Sequence, residues 1–218
     1  MNDFQIEILS GEKDQKKLEQ YMPQIYDLHC RTIGAPPYDC PLSQHEFIGK
    51  SLFSLVNGFV VLLVSHEDII GYAAGNTKPM YDFLKEVACK DYSVNADILC
   101  YMNGLYVSPE YQRLGFGKTL SFIRAFIFYK MGFSFIMGYT KYFGDQISIN
   151  NKLGNIVGES IYQIGGLRGN KRLLFNSLRN ILDKGYDINN INMSIDLSNV
   201  IYRKKITKQC KNSVELSF

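Results

Sequence analysis

The segment Leu105-Tyr106-Val107-Ser108-Pro109-Glu110-Tyr111-Gln112-Arg113-Leu114-Gly115-Phe116-Gly117-Lys118-Thr119-Leu120 constrains this chain most, because it passes from an apolar strand through a polar, glycine-bearing turn into an apolar helix. Gly115 and Gly117 let successive amides turn inward without Cβ clashes. A helix starting near Gly117 aims its unpaired N–H groups and the positive end of its dipole at the same point. Such a turn is an anion cradle that a pyrophosphate fits. Arg113 and Lys118 flank it, each able to add a charge-assisted contact of about 1.5 to 3 kcal/mol to a phosphate oxygen.

Two phosphate ligands compete for that turn. Gly117-Lys118-Thr119 imitates the end of a nucleotide-triphosphate P-loop, which needs a glycine five residues before the second one. Gln112 occupies that place and would crowd the tight turn. No later strand of four apolar residues ends in an aspartate to hold magnesium; the nearest candidate, Ile191 to Asp196, is interleaved with Asn and Ser. The P-loop reading is therefore the weaker one.

The other reading rests on likeness. A strand ending in Val107, a short polar turn, Gln112-x-x-Gly115-x-Gly117 and an apolar helix closely resembles motif A of the GNAT acetyltransferase superfamily, whose pattern is Gln/Arg-x-x-Gly-x-Gly/Ala. In that family an Asn-x-x-small-x-x-apolar-Tyr-x-x-x-Gly pattern follows, and here Asn155, Gly158, Ile161, Tyr162 and Gly166 fall in its register. Periodicity agrees: Leu153, Ile156, Val157, Ile161 and Ile164 make one apolar stripe of a predicted helix, with Asn155, Glu159 and Tyr162 on its other face. The stretch Gly144 to Lys152 makes the link to this helix longer than the family usually shows.

With 218 residues the chain is expected to form one domain, over 1–207, with an inserted helix around 170–184 and a loose tail over 208–218. Hydrophobic content of 46% and charged content of 21% describe a globular protein, and a net charge of +3 is too small to imply nucleic acid. The five cysteines form no Cys-x-x-Cys pair and, with three isolated histidines, lack the spacing of a zinc site, so no metal is expected. Reduced thiols, no apolar block after Met1-Asn2-Asp3 and no run of roughly 20 apolar residues predict a cytoplasmic protein without membrane association.

Alternation and period predict a strand over Phe4 to Leu9, a helix from Gly11-Glu12 through Leu28, a helix over Phe47 to Val56, and strands over Phe59 to Val64 and Ile69 to Gly75. An insertion over Lys78 to Tyr92 precedes a strand over Ile98 to Val107, a helix over Lys118 to Tyr129 and a strand over Phe133 to Tyr139. A further helix is read over Leu173 to Leu182, then strand-like runs over Ile191 to Leu197 and Val200 to Ile206. This order is similar to the GNAT fold, an α/β (α+β) architecture with a central mixed sheet flanked by helices.

What the resemblance implies is an N-acetyltransferase that moves an acetyl group from acetyl-CoA directly to a primary amine, on a small molecule or a peptide. The pyrophosphate would lie on Gln112, Arg113, Leu114, Gly115, Phe116, Gly117 and Lys118, and the pantetheine would pair with the backbone of Leu105, Tyr106 and Val107. Asn155 would touch the pantetheine arm or the edge of the third helix, Tyr162 would direct its hydroxyl to the sulfur, and a backbone N–H near Val107 would stabilise the oxyanion. Presenting an alkyl amine (pKa near 10.4) neutral at pH 7 costs roughly 4 to 5 kcal/mol, so a base is valuable. Many family members carry a Glu where this chain has Tyr101, a poor base at neutral pH; Glu159, Asp97 and ordered water are the substitutes. His29, His45 and His66 read as surface or structural, with His45 nearest to an acceptor cleft built from Thr32 to Gln44 and Lys78 to Tyr92. A catalytically inactive acyl-CoA-binding sensor or scaffold, and an enzyme for longer acyl donors with Phe116, Phe122 and Phe126 lining a wider groove, stay open, and a homodimer is compatible with either.

Overall fold

The computed structural model describes residues 4–35, 41–80, 95–141, 161–162, 171–178, 193–196 and 213–216. Its first strand, β1 (Phe4–Leu9), leads through a 3₁₀ turn into helix α1 (Gln15–Arg31), and helix α2 (Gln44–Asn57) follows. Ser43 caps α2 reciprocally: its hydroxyl accepts from Glu46 N–H at 3.3 Å while the Glu46 carboxylate accepts from Ser43 N–H at 2.9 Å. Strands β2 (Gly58–Ser65) and β3 (Asp68–Asn76) form a hairpin, and β4 (Leu99–Val107), α3 (Phe116–Lys130) and β5 (Phe135–Lys141) come next. Each of these lies within a few residues of its predicted position.

Seven strands make one sheet in the order β1-β2-β3-β4-β5-β7-β6, where β6 is Ile161–Tyr162 and β7 is Lys171–Ser177. All neighbours are antiparallel except β4 and β5, which run parallel, so the sheet is mixed as expected. Alternation in β2 explains how helices cover both faces. Val60, Leu62 and Val64 pack with Leu18, Met22, Ile25 and Leu28 of α1 and Phe47 and Leu55 of α2. Phe59, Val61 and Leu63 point the other way, to Leu120, Ile123, Ile127 and Phe128 of α3. Each such side chain taken fully out of water contributes about 1.5–3 kcal/mol.

Three expectations are corrected. The segment read as a helix from Leu173 is strand β7, paired with β5 from Phe135↔Ser177 to Lys141↔Lys171. Leu173, Leu174, Leu178, Ile181 and Leu182 suit a helical face, but the unpaired edge of β5 recruits the first part of the segment as a strand. Likewise Ile161 and Tyr162, read on a helix with Glu159, pair as β6 with Arg172 and Lys171. Both are residue types that favour strands, and a two-residue bridge needs no strand periodicity of its own. Strand β8 (Met193–Asp196) falls inside the predicted run from Ile191, and it pairs with β9 (Ser213–Leu216), which lies within the segment expected to be a loose tail. The runs 179–184 and 200–206 lie outside the described residues.

Candidate active site

The site is built on a fault in β4. Ala73 opposes Leu105 and Ala74 opposes Asn103, which leaves Gly104 with no residue opposite it in β3. An extra residue of this kind is a β-bulge, and Gly104 takes it with φ of 46°, a left-handed conformation that other residues rarely adopt. An added Cβ would stand 2.8 Å from the Tyr72 ring, so space and backbone both favour glycine here.

The bulge turns two amides the same way. Along a strand the N–H and C=O of one residue share an edge, and successive residues alternate edges. Ser108 N–H donates to Ile70 O at 2.9 Å, so counting back places the polar groups of Leu105 on the edge away from β3. Ser134 N–H donates to Ile98 O at 2.9 Å, so counting forward from Ile98 places those of Asn103 on the β3 edge. A trans peptide directs its C=O and N–H oppositely. The Gly104 N–H therefore faces the β5 side, next to the Leu105 N–H.

That side is open. Parallel pairing of β4 with β5 ends at Tyr101↔Met137, whereas β4 continues to Val107 and β5 stays paired with β7 to Lys141. The two strands part beyond Tyr101, and the edge of β4 from Met102 to Val107 borders a wedge between them. Tyr101, 2% exposed, sits at its vertex.

Beyond Val107 the chain makes a 3₁₀ turn (Pro109–Tyr111) and enters α3 through Gly115, whose φ of 94° forms the helix cap without any side-chain hydrogen bond. Thr119 N–H is the first to reach back, to Gly115 O at 3.0 Å, so the amides before it have no acceptor within the helix. Gln112 folds back and donates from Nε2 to Val107 O at 3.0 Å. Arg31, at the end of α1, braces the turn from outside: it lies 2.7 Å from Asp27, 3.5 Å from Glu110 and donates to Ser108 Oγ at 3.5 Å. Ser108 donates in turn to the Glu110 carboxylate, a bond that holds the Glu110 carboxyl below its ordinary range. These exposed pairs are worth little energy, so their effect is to hold the turn in place.

A family model described as the acetyltransferase (GNAT) family matches residues 22–133, just over half of the chain. The chain belongs to the GNAT acetyltransferase family. Solved GNAT structures share the fold. The ribosomal-protein-S18-alanine N-acetyltransferase of Escherichia coli is 15% identical with a TM-score of 0.55, over 80% of this chain and 94% of that one. The PaiA N-acetyltransferase of Thermoplasma acidophilum, solved with coenzyme A, is 12% identical with a TM-score of 0.53, over 80% and 99%. Arabidopsis thaliana NAA60, solved with acetyl-CoA, is 16% identical with a TM-score of 0.52, over 81% and 99%. No curated protein matches the chain in sequence. Membership of the GNAT family makes this chain an acyltransferase.

The predicted residues of this GNAT chain are distributed unevenly over the site. Leu105, Tyr106 and Val107 lie on the arm of β4 beside the wedge, and Gln112 to Lys118 form the turn and helix start. Within the turn, Arg113 has φ of 64° and Leu114 is 66% exposed, whereas Phe116 is buried against Tyr111 and Phe4 and offers only backbone. Phe122 is buried in the core and stacks on Phe126, so neither is free to line a wide groove from α3. Asp97 is exposed in the 3₁₀ turn before β4, four residues before the wedge opens at Tyr101. Glu46 is held in its cap and His45 is exposed beside it. Asn155 and Glu159 lie outside the described residues, as do 36–40 and 81–92 of the two segments expected to build the acceptor cleft. Tyr162 is placed by its backbone in β6, at the far edge of the sheet past β7.

Two participants escaped the sequence reading. Gly104 is an isolated glycine inside a strand pattern, a signal for a bulge. Arg124 is the one charge in the run Phe122 to Phe128, on a helix apolar nearly all round, where a cation must find acceptors. Among the described residues no group of three His, Cys, Asp or Glu could hold a metal ion, and no helix is long and apolar enough to cross a membrane.

Proposed function

We propose that this GNAT acyltransferase transfers an acetyl group from acetyl-CoA directly to a primary amine. The carrying observation is the continuity of three backbone features: the neighbouring Gly104 and Leu105 amides, the edge of β4 to Val107 that no described strand pairs on the β5 side, and the turn that ends in the N-terminus of α3. The donor is an elongated molecule with an anionic end, a strand-like arm and a reactive carbonyl. These features offer an anion site, a strand edge and two convergent donors in that order.

The donor supplies an activated acyl carbonyl; the rest is the work of this chain. The turn from Gln112 to Lys118 binds the pyrophosphate through backbone N–H groups, with Arg113 and Lys118 adding charge. The edge of β4 from Leu105 to Val107 aligns the pantetheine arm. Gly104 and Leu105 N–H stabilise negative charge on the acyl oxygen as the amine attacks, three and two residues nearer the vertex of the wedge than Val107. Asn155 is a proposed contact to the arm, and the leaving thiolate takes its proton from water, because Tyr162, the donor that the resemblance implies, is held in β6 two strands beyond β5. β4 carries no carboxylate, so the amine gives its proton to Glu159 or to water held near Tyr101.

Calorimetric titration with acetyl-CoA, for the natural chain and for Gly117→Trp, tests the reading. Binding that the substitution abolishes supports it, and thiol release with a panel of amines then identifies the acceptor. Binding with no turnover of any amine favours an acyl-CoA sensor, and tighter binding of longer thioesters favours a longer acyl group.

A further inference from the structure

Arg124 is 2% exposed and sits on the sheet-facing side of α3, beneath the bulge. Its Nη1 donates to Gly104 O at 3.1 Å, Ala74 O at 3.2 Å and Asn103 O at 3.4 Å, two N–H groups shared among three carbonyls. Asn103 and Gly104 are consecutive, and their carbonyls converge on one nitrogen only because the bulge turns both toward β3. These are the carbonyls whose peptides carry the Gly104 and Leu105 N–H groups.

The bulge is gripped from the other face as well. Asn103 Nδ2 donates to Ser54 Oγ of α2 at 2.8 Å, and Ser54 Oγ donates to Lys50 O at 3.0 Å. α2 thus holds the Asn103 side chain while α3 holds its carbonyl.

Arg124 has a second property that a purely structural cross-link would not need. Among the described residues no carboxylate pairs with it, and its Nε is buried without an acceptor. Its ionisable neighbours, Cys100 and Tyr72, are both held neutral by burial. The cation therefore lies uncompensated next to the two peptides that face the wedge, and it polarises both in the direction that makes their N–H groups better donors.

We propose that Arg124 is a positioning residue for acyl transfer: it fixes the carbonyls of Asn103 and Gly104 so that the Gly104 and Leu105 amides are aimed and polarised toward the developing oxyanion. This deepens the proposed function and rests on it. A residue with this role acts on the transition state and leaves binding of the distant pyrophosphate unchanged.

The experiment compares the natural chain with Arg124→Met, which keeps the length of the stem, and Arg124→Lys, which keeps the charge and a donor. Circular dichroism first establishes that each is folded. In Arg124→Met, kcat with the amine found above is expected to fall at least 30-fold while KM for acetyl-CoA and the calorimetric affinity for coenzyme A change less than threefold; Arg124→Lys recovers at least part of kcat. Amide resonances of Gly104 and Leu105 shift in Arg124→Met while that of Gly117 does not. An unchanged kcat in folded Arg124→Met overturns the proposal, as does an equal loss of coenzyme A affinity. If the natural chain shows no turnover, the proposed function fails on its own account. The amide resonances then decide the structural half of this inference: no shift at Gly104 and Leu105 overturns it.

Discussion

Gln112 Nε2 donates to Val107 O at 3.0 Å, joining the last residue of β4 to the start of the turn. This single bond sets the mouth of the anion cradle, because it spends the Gln112 side chain inside the loop and leaves backbone groups to meet a ligand. Gln112→Ala is expected to weaken acetyl-CoA binding by about 2- to 13-fold, the equivalent of one hydrogen bond of 0.5–1.5 kcal/mol. Titration calorimetry checks it, and an unchanged Kd would mean that the turn holds its shape without the bond.

Leu120 is fully buried where α3 meets β3, with its Cδ1 3.0 Å from where a Cβ on Gly71 would stand. Leu120→Ala should lower stability by about 2–5 kcal/mol, since close packing leaves little room for collapse into the cavity. Urea denaturation read by fluorescence and circular dichroism measures the loss. A cost below about 1 kcal/mol would contradict the packing of α3 on the sheet.

His29 is buried among Tyr26, Phe47 and Tyr106, and neither ring nitrogen has a hydrogen-bond partner among the described residues. Burial, with the Lys50 charge adding to it, lowers its pKa from 6.5 to about 4, so the ring is neutral in the fold. The unfolded chain binds this proton first as pH falls. The His29 contribution is therefore complete above pH 6.5 and is lost progressively between about 6.5 and 4. Urea midpoints measured at pH 7.5 and 5 should diverge for the natural chain and diverge less for His29→Phe; equal pH dependence in the two would exclude His29 as the cause.

Local chemistry made much of this molecule legible before its shape was known. β1 to β5 and α1 to α3 follow from hydrophobic period, from the Ser43 and Glu46 cap and from the glycines of the turn, all properties of residues close together in the chain. The anion cradle is local for the same reason, being one strand end, one turn and one helix start. β7 is misread from sequence because its conformation is set by an edge of β5 that lies 30 to 42 residues away, and β6 because it is set in turn by the edge of β7.

The remainder of the site depends on contacts between distant residues. A lone glycine in β4 does not say which way its neighbours' amides will turn; that is decided by the β3 register, by Ser54 and by Arg124. The wedge depends on β5 leaving β4 after Tyr101 to follow β7. Residue types and their spacing carry local backbone preferences, whereas the direction of a peptide dipole at a bulge is settled by which strands and side chains pack around it, and only the folded chain brings those together.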